Sequence, residues 1–405
     1  MITLRAAVLL LLAPGLALAN GYSVPNVNPR DLALAASAIA AQRDAAAVYA
    51  QPAALARLDE GLHVAAVAGL LDITTKWSAP QGPADASTQF KLAPPAGAFA
   101  AYATKVRETR LAVGAGFNVP YGGNVFWDHD WAGRFRVTTV DRRVYGMYLN
   151  GAVEALPYLR FGGGLVYFRT TEYVRQALDF ATSEGWAEVS ASGGAPSFDV
   201  SAEFQPFETL RFAVDYKHQA VQTLKGDAAF HDVPDAIRPS LPDQSVEHVL
   251  TIPSVFEAGA SWRARDDLLL TAAWTFLHYK VYREDRFVGS AGTTVVVPRN
   301  YDNGYTLRAG AEYRLLPAIE LRVGAERDVS GGHSATFSPS LPDASSWSGA
   351  VGAGWHVRPD LTLDAGFFYS IFDRVTASGS AFLGDYDITA WIFSVGFTWR
   401  TGMLR

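Results

Sequence analysis

From about residue 61 to the C-terminus, hydrophobic and polar positions alternate with a period of two. Ile319, Leu321, Val323 and Ala325 alternate with Glu320, Arg322, Gly324 and Glu326. Tyr305, Leu307, Ala309, Ala311 and Tyr313 alternate with Thr306, Arg308, Gly310, Glu312 and Arg314. The segments beginning at Leu210 and Leu361 behave alike, and in each one face carries no charge. Side chains on a β-strand point alternately to opposite sides, so this period predicts strands with two chemically distinct faces. A charge on a lipid-facing strand near the bilayer midplane costs roughly 2–4 kcal/mol. Uncharged faces in series therefore predict strands that face lipid. A large soluble β protein is the competing reading, and it offers no core for so many apolar-outward strands.

The pattern predicts fourteen strands, at about 61–76, 96–106, 109–119, 136–154, 158–172, 197–206, 208–221, 246–264, 267–283, 304–315, 318–328, 346–357, 360–374 and 387–400. The joins after strands 2, 4, 6, 8, 10 and 12 are tight: Arg107-Glu108, Leu156-Pro157, Pro206-Phe207, Arg265-Asp266, Leu316-Pro317 and Arg358-Pro359. The joins after odd-numbered strands are long and rich in Gly, Pro, Ser and Asp. Short turns at one end and long loops at the other mark a bacterial outer-membrane barrel. The fold class is therefore all-β: a transmembrane antiparallel β-barrel of fourteen strands. The even count puts both ends of the barrel on the short-turn, periplasmic side. An internal echo, Pro239-Ser240-Leu241-Pro242-Asp243 and Pro339-Ser340-Leu341-Pro342-Asp343, marks two loop-to-strand transitions, where proline suits a strand's beginning.

The N-terminus agrees with this location. Arg5, the apolar stretch Ala6 to Ala13 and the small residues Ala17-Leu18-Ala19 read as a cleavable export signal, residues 1–19, too short to span a bilayer. Residues 20–58 follow as a small-residue segment that can fold back into the lumen, and 59–405 form the barrel. The implied site is the outer membrane of a Gram-negative bacterium. The chain has no cysteine, which excludes a disulfide scaffold or a thiolate metal site. Its net charge of −6 argues against nucleic acid as a partner.

Asp44, Ala45, Val48, Pro52, Ala53, Leu55 and Leu58 fit the pattern D-A-x-x-V-x-x-N-P-A-x-L-x-x-L. In that respect the segment resembles the N-terminal hatch of the FadL/TodX family of outer-membrane long-chain fatty-acid and hydrocarbon transport proteins. Gln51 stands where the family has Asn and keeps the amide with one methylene more. Leu111 to Gly122, followed by Trp131-Ala132-Gly133-Arg134-Phe135, is similar to the family's third strand, its loop and the start of the fourth. The second Pro-Ser-Leu-Pro-Asp copy, continuing through Trp347 to Trp355, is similar to a late loop and strand. The resemblance implies a monomer whose hatch residues include Asp44, Gln51, Pro52, Ala53 and Leu55. It also implies lateral release at an inward kink in the third strand, for which Gly114, Gly116 and Pro120 are the candidates. The partners it implies are a hydrophobic small molecule, outer-membrane lipid and lipopolysaccharide, and the barrel-assembly machinery during biogenesis.

Catalysis finds little support. Asp128-His129-Asp130 is the one place where a histidine stands among carboxylates, and no nucleophile elbow or phosphate loop is present. No cofactor or metal is expected. Val174, Ala177, Leu178 and Ala181 stand at helical spacing in an expected loop, 173–195, that also carries Trp186. A second expected loop, 222–245, carries Leu224, Phe230, Val233 and Ile237. In the family these loops form a hydrophobic capture groove, which makes Leu178, Trp186, Phe230 and Ile237 candidate ligand contacts. Lys217 and Arg308 are expected on inward faces, where they can meet a ligand carboxylate or pair with lumen acids. Gly162-Gly163-Gly164 reads as room for a close backbone approach. The reading is passive uptake of an apolar molecule. The alternatives are a general diffusion porin, which would want an open lumen, and an outer-membrane hydrolase.

Overall fold

Strands with exposed backbone edges cannot persist in lipid unless they close on one another. In the computed structural model, which describes residues 23–24, 28–91, 94–379 and 382–401, they close. The expected export signal lies outside the described residues. The strands are β1 (Gly61–Ser78), β2 (Asp85–Ser87), β3 (Ala96–Val106), β4 (Thr109–Phe126), β5 (Thr139–Leu156), β6 (Leu159–Asp179) and β7 (Glu184–Phe207). They continue with β8 (Leu210–Lys217), β9 (Ala220–His231), β10 (Gln244–Ile252), β11 (Val255–Arg265), β12 (Leu268–Leu277), β13 (Glu284–Gly289) and β14 (Thr294–Pro298). The last are β15 (Gly304–Leu316), β16 (Ile319–Val329), β17 (Ser346–Arg358), β18 (Leu361–Phe372), β19 (Val375–Ala377) and β20 (Gly384–Arg400).

Strands β2, β13, β14 and β19 are additions at the long-loop end. The others make fourteen antiparallel staves, as the alternation predicts, because β8 with β9 and β10 with β11 are each one stave broken once. Pairing of β1 with β20, from His63↔Arg400 to Ser78↔Asp385, closes the barrel. The expected strands 208–221 and 246–264 run through the two breaks without noticing them. Lys217 faces Val255 on one side of the breaks and Ala220 faces Ile252 on the other, so the alternation slips at His218-Gln219 and at Pro253-Ser254.

Loop 173–195 corrects a second expectation. Its helical spacing is not a helix: β6 runs to Asp179, β7 starts at Glu184, and only a four-residue turn separates them. Extension of the barrel hairpin lets both strands satisfy their backbone groups, which a lone apolar turn of helix there would not. Loop 222–245 likewise yields half of its length to β9 and β10.

Outward positions carry the apolar belt, among them Leu321, Val323, Val351, Phe367, Phe393 and Val395. Inward positions carry charge and small residues, and residues 28–58 pack against them. That segment holds a short α-helix, α1 (Pro29–Ala33), a second, α2 (Ala47–Ala50), and 3-10 turns at Ile39–Ala41 and Pro52–Arg57. Its alanines are almost wholly buried. Inward glycines explain how it fits. A side chain at Gly162 would strike the backbone of Pro52 and Ala53, and one at Gly324 the backbone of Leu34 and Ala35.

Candidate functional site

The N-terminal segment is built from caps rather than from long helices. Asn28 accepts the amide of Arg30 at 3.0 Å, and Pro29 opens α1. Asp44 accepts the amide of Ala46 at 2.7 Å. Gln51 bonds at both ends of its amide: its Oε1 accepts the amide of Ala54 at 2.7 Å, and its Nε2 donates to the carbonyl of Ala202 on β7 at 3.1 Å. Asn150 of β5 donates to the carbonyl of Val48 at 2.6 Å, and the Ala53 amide donates to Ser201 Oγ at 2.8 Å. Pro52 and Leu55 are buried beside them.

Ion pairs hold the other side. Glu312 of β15 receives Arg30 (2.8 Å), Arg43 (3.2 Å) and Arg322 (2.7 Å), and Arg43 also reaches Glu320 at 2.5 Å. Arg322 continues to Asp364 at 2.5 Å. Two guanidiniums of the segment thus join a buried network of the wall. Within the segment, burial pushes the Asp31 carboxyl up to about 6, against the weaker opposing pull of Arg30 and of the Gln42 hydrogen bond. Burial raises Asp44 as well.

Asp31 gives a pH test. Between about pH 4 and 6 the folded chain holds a proton there that the unfolded chain has lost. The stability this group contributes is complete below pH 4 and is lost as pH rises through 6. Asp31→Asn keeps an acceptor for Gln42 and cannot ionise. It should match the wild type near pH 4 and exceed it at pH 7 by up to about 3 kcal/mol, read from urea unfolding in detergent. An equal difference at both pH values would remove Asp31 ionisation as the cause.

Above the segment lies a cavity of about 120 Å³, lined on its apolar side by Tyr49, Leu71, Tyr121, Leu277, Phe368 and Ile392. Lys217 and Arg308, inward as expected, both line it. Both are engaged. Lys217 pairs with Asp215 and sits over the Tyr49 ring at 5.2 Å. Arg308 pairs with Glu326 at 2.8 Å and donates to Thr275 at 2.5 Å. Four acids, Asp31, Glu257, Glu326 and Asp328, also line the space, so carboxyl groups outnumber cations there.

One side of this cavity meets an interruption in the wall. Pairing of β1 with β3 ends at Ala68↔Ala96, and pairing of β3 with β4 ends at Ala98↔Phe117. Toward the long-loop end, β1 and β4 continue with no strand between them, among the described residues, until β2. The connection is thin: Gly69 donates to the Pro95 carbonyl (2.8 Å) and Gln89 to the Phe126 carbonyl (2.6 Å). At this level β4 bulges, with one extra residue between Asn118↔Gly146 and Tyr121↔Val144. Gly122, at φ +155°, lets the strand turn back. Ser23 bridges Tyr121, and the Val24 amide donates to the Pro120 carbonyl at 2.9 Å. Leu71 on β1 and Tyr121 on β4 flank the interruption and line the cavity.

The three exit candidates divide. Pro120 is in the bulge, whereas Gly114 and Gly116 lie below it. The side chain of Val48 occupies the space a Cβ on Gly114 would need, and the Phe99 ring that on Gly116. Of the four loop candidates, Leu178 and Phe230 are buried, and Trp186 and Ile237 are half-buried. Trp186 stacks beside His129 (4.2 Å) and under Arg175 (4.3 Å). A small apolar void of about 20 Å³ lies between these hairpins, against Val174, Val189, Val246, Phe287 and Val295. Asp128-His129-Asp130 is exposed, and its imidazole is paired with Asp130 at 2.8 Å. Among the described residues no three His, Cys, Asp or Glu side chains are placed to hold a metal ion.

Two buried clusters were missed by sequence reasoning. His248 lies between Glu172 (3.3 Å) and Asp285 (3.2 Å), which Arg142 (2.7 Å) and Arg299 (2.8 Å) neutralise. This ties together β5, β6, β10, β13 and the chain after β14. Trp127 stacks on Trp131 at 4.2 Å, with Trp77 and Phe382 against them, and caps the mouth.

A family model described as "Outer membrane protein transport protein (OMPP1/FadL/TodX)" matches residues 10–400. A 47 kDa outer membrane protein of Pasteurella multocida is 24% identical over 391 residues, 90% of each chain. The crystal structure of a Pseudomonas aeruginosa FadL homologue superimposes with a TM-score of 0.85 at 20% identity, covering 94% of this chain and 99% of that one. The Pseudomonas putida toluene transporter TodX gives 0.71 at 12% identity, over 88% and 94%.

Proposed function

The chain belongs to the OMPP1/FadL/TodX family of outer membrane transport proteins, and from that premise we propose that it is a passive channel for small uncharged apolar molecules. The observation that carries this reading is the position of the cavity, which ends at the interruption between β1 and β4. Ligand caught among the β6–β7 and β9–β10 hairpins passes to the cavity, held from below by the hatch, and leaves sideways into the outer leaflet. Lipopolysaccharide resists apolar solutes, and a water-filled pore would not favour them. A pocket with one apolar wall that opens toward lipid avoids both barriers. Nothing among the described residues suggests coupling to an energy source, so flux follows the gradient.

The lining narrows the ligand. A carboxylate would need a free cation, and Lys217 and Arg308 are spent on Asp215 and Glu326 while three further acids, Asp31, Glu257 and Asp328, face the same space. Placing an ionised headgroup there is opposed by like charge. The volume, about 120 Å³, is near the roughly 150 Å³ of an engineered cavity that takes benzene. Purified protein in mild detergent should therefore bind a neutral monocyclic hydrocarbon in preference to a long-chain carboxylate of equal concentration at pH 7, read by mass spectrometry of the retained ligand. Preferential retention of the carboxylate would overturn the choice of ligand while leaving the route intact.

A further inference from the structure

At the short-turn end of the lumen, four guanidinium groups gather around two carboxylates, and only two of them are paired. Arg160 reaches Glu154 (2.8 Å) and Glu203 (3.0 Å), and Arg57 of the hatch reaches the same Glu203 at 3.3 Å. Arg211 and Arg263 have no salt-bridge partner among the described residues, and the buried Nε of Arg211 lacks a hydrogen-bond acceptor. Arg211 stands opposite Ser261 across the β8–β11 pair, and Arg263 is two residues further along that inward face. Such diagonal neighbours are about 7–8 Å apart. Four cations against Glu154 and Glu203 leave two positive charges uncompensated.

Arg57, Arg211 and Arg263 line a cavity of about 390 Å³ beneath the hatch, bordered by the Asp266-Asp267 turn and so open to the periplasm. The other acids around it have partners: Glu312 and Glu320 hold Arg30, Arg43 and Arg322, and Asp267 holds Arg265. Asp266 offsets one of the two charges, and Arg314, which also lines the cavity 3.9 Å from the already shared Glu320, restores it, so that six arginines there face four acids. Like charges gathered in a partly enclosed space are costly unless an anion joins them. Guanidinium forks match the paired oxygens of phosphate, and an excess of two charges suits a dianion better than a single carboxylate.

We propose that Arg57, Arg211 and Arg263 form a periplasm-facing site for a phosphate-class oxyanion, supplied as the free ion or as a small phosphoester whose carbon tail rests on Leu269. The site is separate from the apolar route. Because Arg57 belongs to the hatch, an occupant ties the hatch's end to β8 and β11.

The test uses the full chain in uncharged detergent at low ionic strength, with inorganic phosphate or a dihexanoyl phosphatidic acid as probe and 31P line width and thermal shift as readouts. Wild-type protein should broaden the signal saturably and melt higher with phosphate. The double variant Arg211→Gln, Arg263→Gln should bind about tenfold more weakly or worse. It should also melt at or above the wild type without phosphate, because repulsion is relieved, and lose the phosphate-dependent rise. Arg286→Gln, exposed on β13 at the long-loop end and away from this cavity, should bind as the wild type does. Tighter binding of the phosphoester than of phosphate would assign the lipid source, and the reverse the free ion. No saturable broadening, or equal binding by the double variant with its heat-modifiable mobility intact, would overturn the site.

Discussion

Glu312→Ala should turn a closed barrel into a conducting one. In the wild type residues 28–58 pack against the inward faces of the wall, so planar bilayers should show little steady current. Glu312 is the acid that Arg30 and Arg43 of the hatch share with Arg322 of the wall. Its removal leaves three guanidiniums with Glu320 and Asp364 only. Breaking a buried ion pair by deleting one partner costs roughly 3–5 kcal/mol, a hundredfold or more in the docking equilibrium. The strand itself should survive, because Glu312 faces inward and the β15–β16 ladder does not depend on it. Current should rise toward that of a variant lacking residues 20–58, and amides of residues 28–58 should exchange faster. Unchanged current together with unchanged exchange would mean that caps and packing, not this network, hold the hatch. A large steady current from the intact wild type would instead favour a general diffusion porin.

Much of this architecture was legible because two constraints repeat along the chain. Lipid forbids charge on one strand face, and tight turns recur after every second strand, so Leu321, Val323, Arg358-Pro359 and their counterparts set fourteen staves without tertiary information. Places where the phase slips by one residue were harder to see. At His218-Gln219 and Pro253-Ser254 the residues on both sides still alternate, and only the change of which set faces inward reveals a break. The hairpin carrying Val174 and Leu178 failed for another reason: a short apolar run fits both periods, and chain length beyond the membrane decides. The His248 network was illegible because Arg142, Glu172, Asp285 and Arg299 come together only through register across several hairpins. Lys217 and Arg308 were placed inward, but their acid partners decide their chemistry, and those partners follow from packing.

The bulge in β4 makes the proposed sideways exit testable by removing one residue. Three steps along β4, from Asn118 to Tyr121, match two along β5, from Gly146 to Val144. Deletion of Pro120 restores equal counts and leaves the pairs on either side as they are. It also removes the one residue of the bulge that has no amide hydrogen to give to a ladder. The strand should then run straight, drawing Tyr121 out of the cavity mouth and narrowing the passage beside Leu71. Uptake of the apolar ligand should fall to that of cells lacking the protein, while heat-modifiable mobility and surface abundance stay normal. Amides at 121–123 should exchange more slowly, which would show that the strand has straightened. Gly116→Val is a poorer test, since the added methyl groups meet the Phe99 ring and the Ala98 carbonyl and disturb packing below the bulge. Deletion of Val119 serves instead as the companion, restoring the same count while keeping proline. If both deletions straighten the strand and neither slows uptake at equal abundance, the ligand does not leave between β1 and β4.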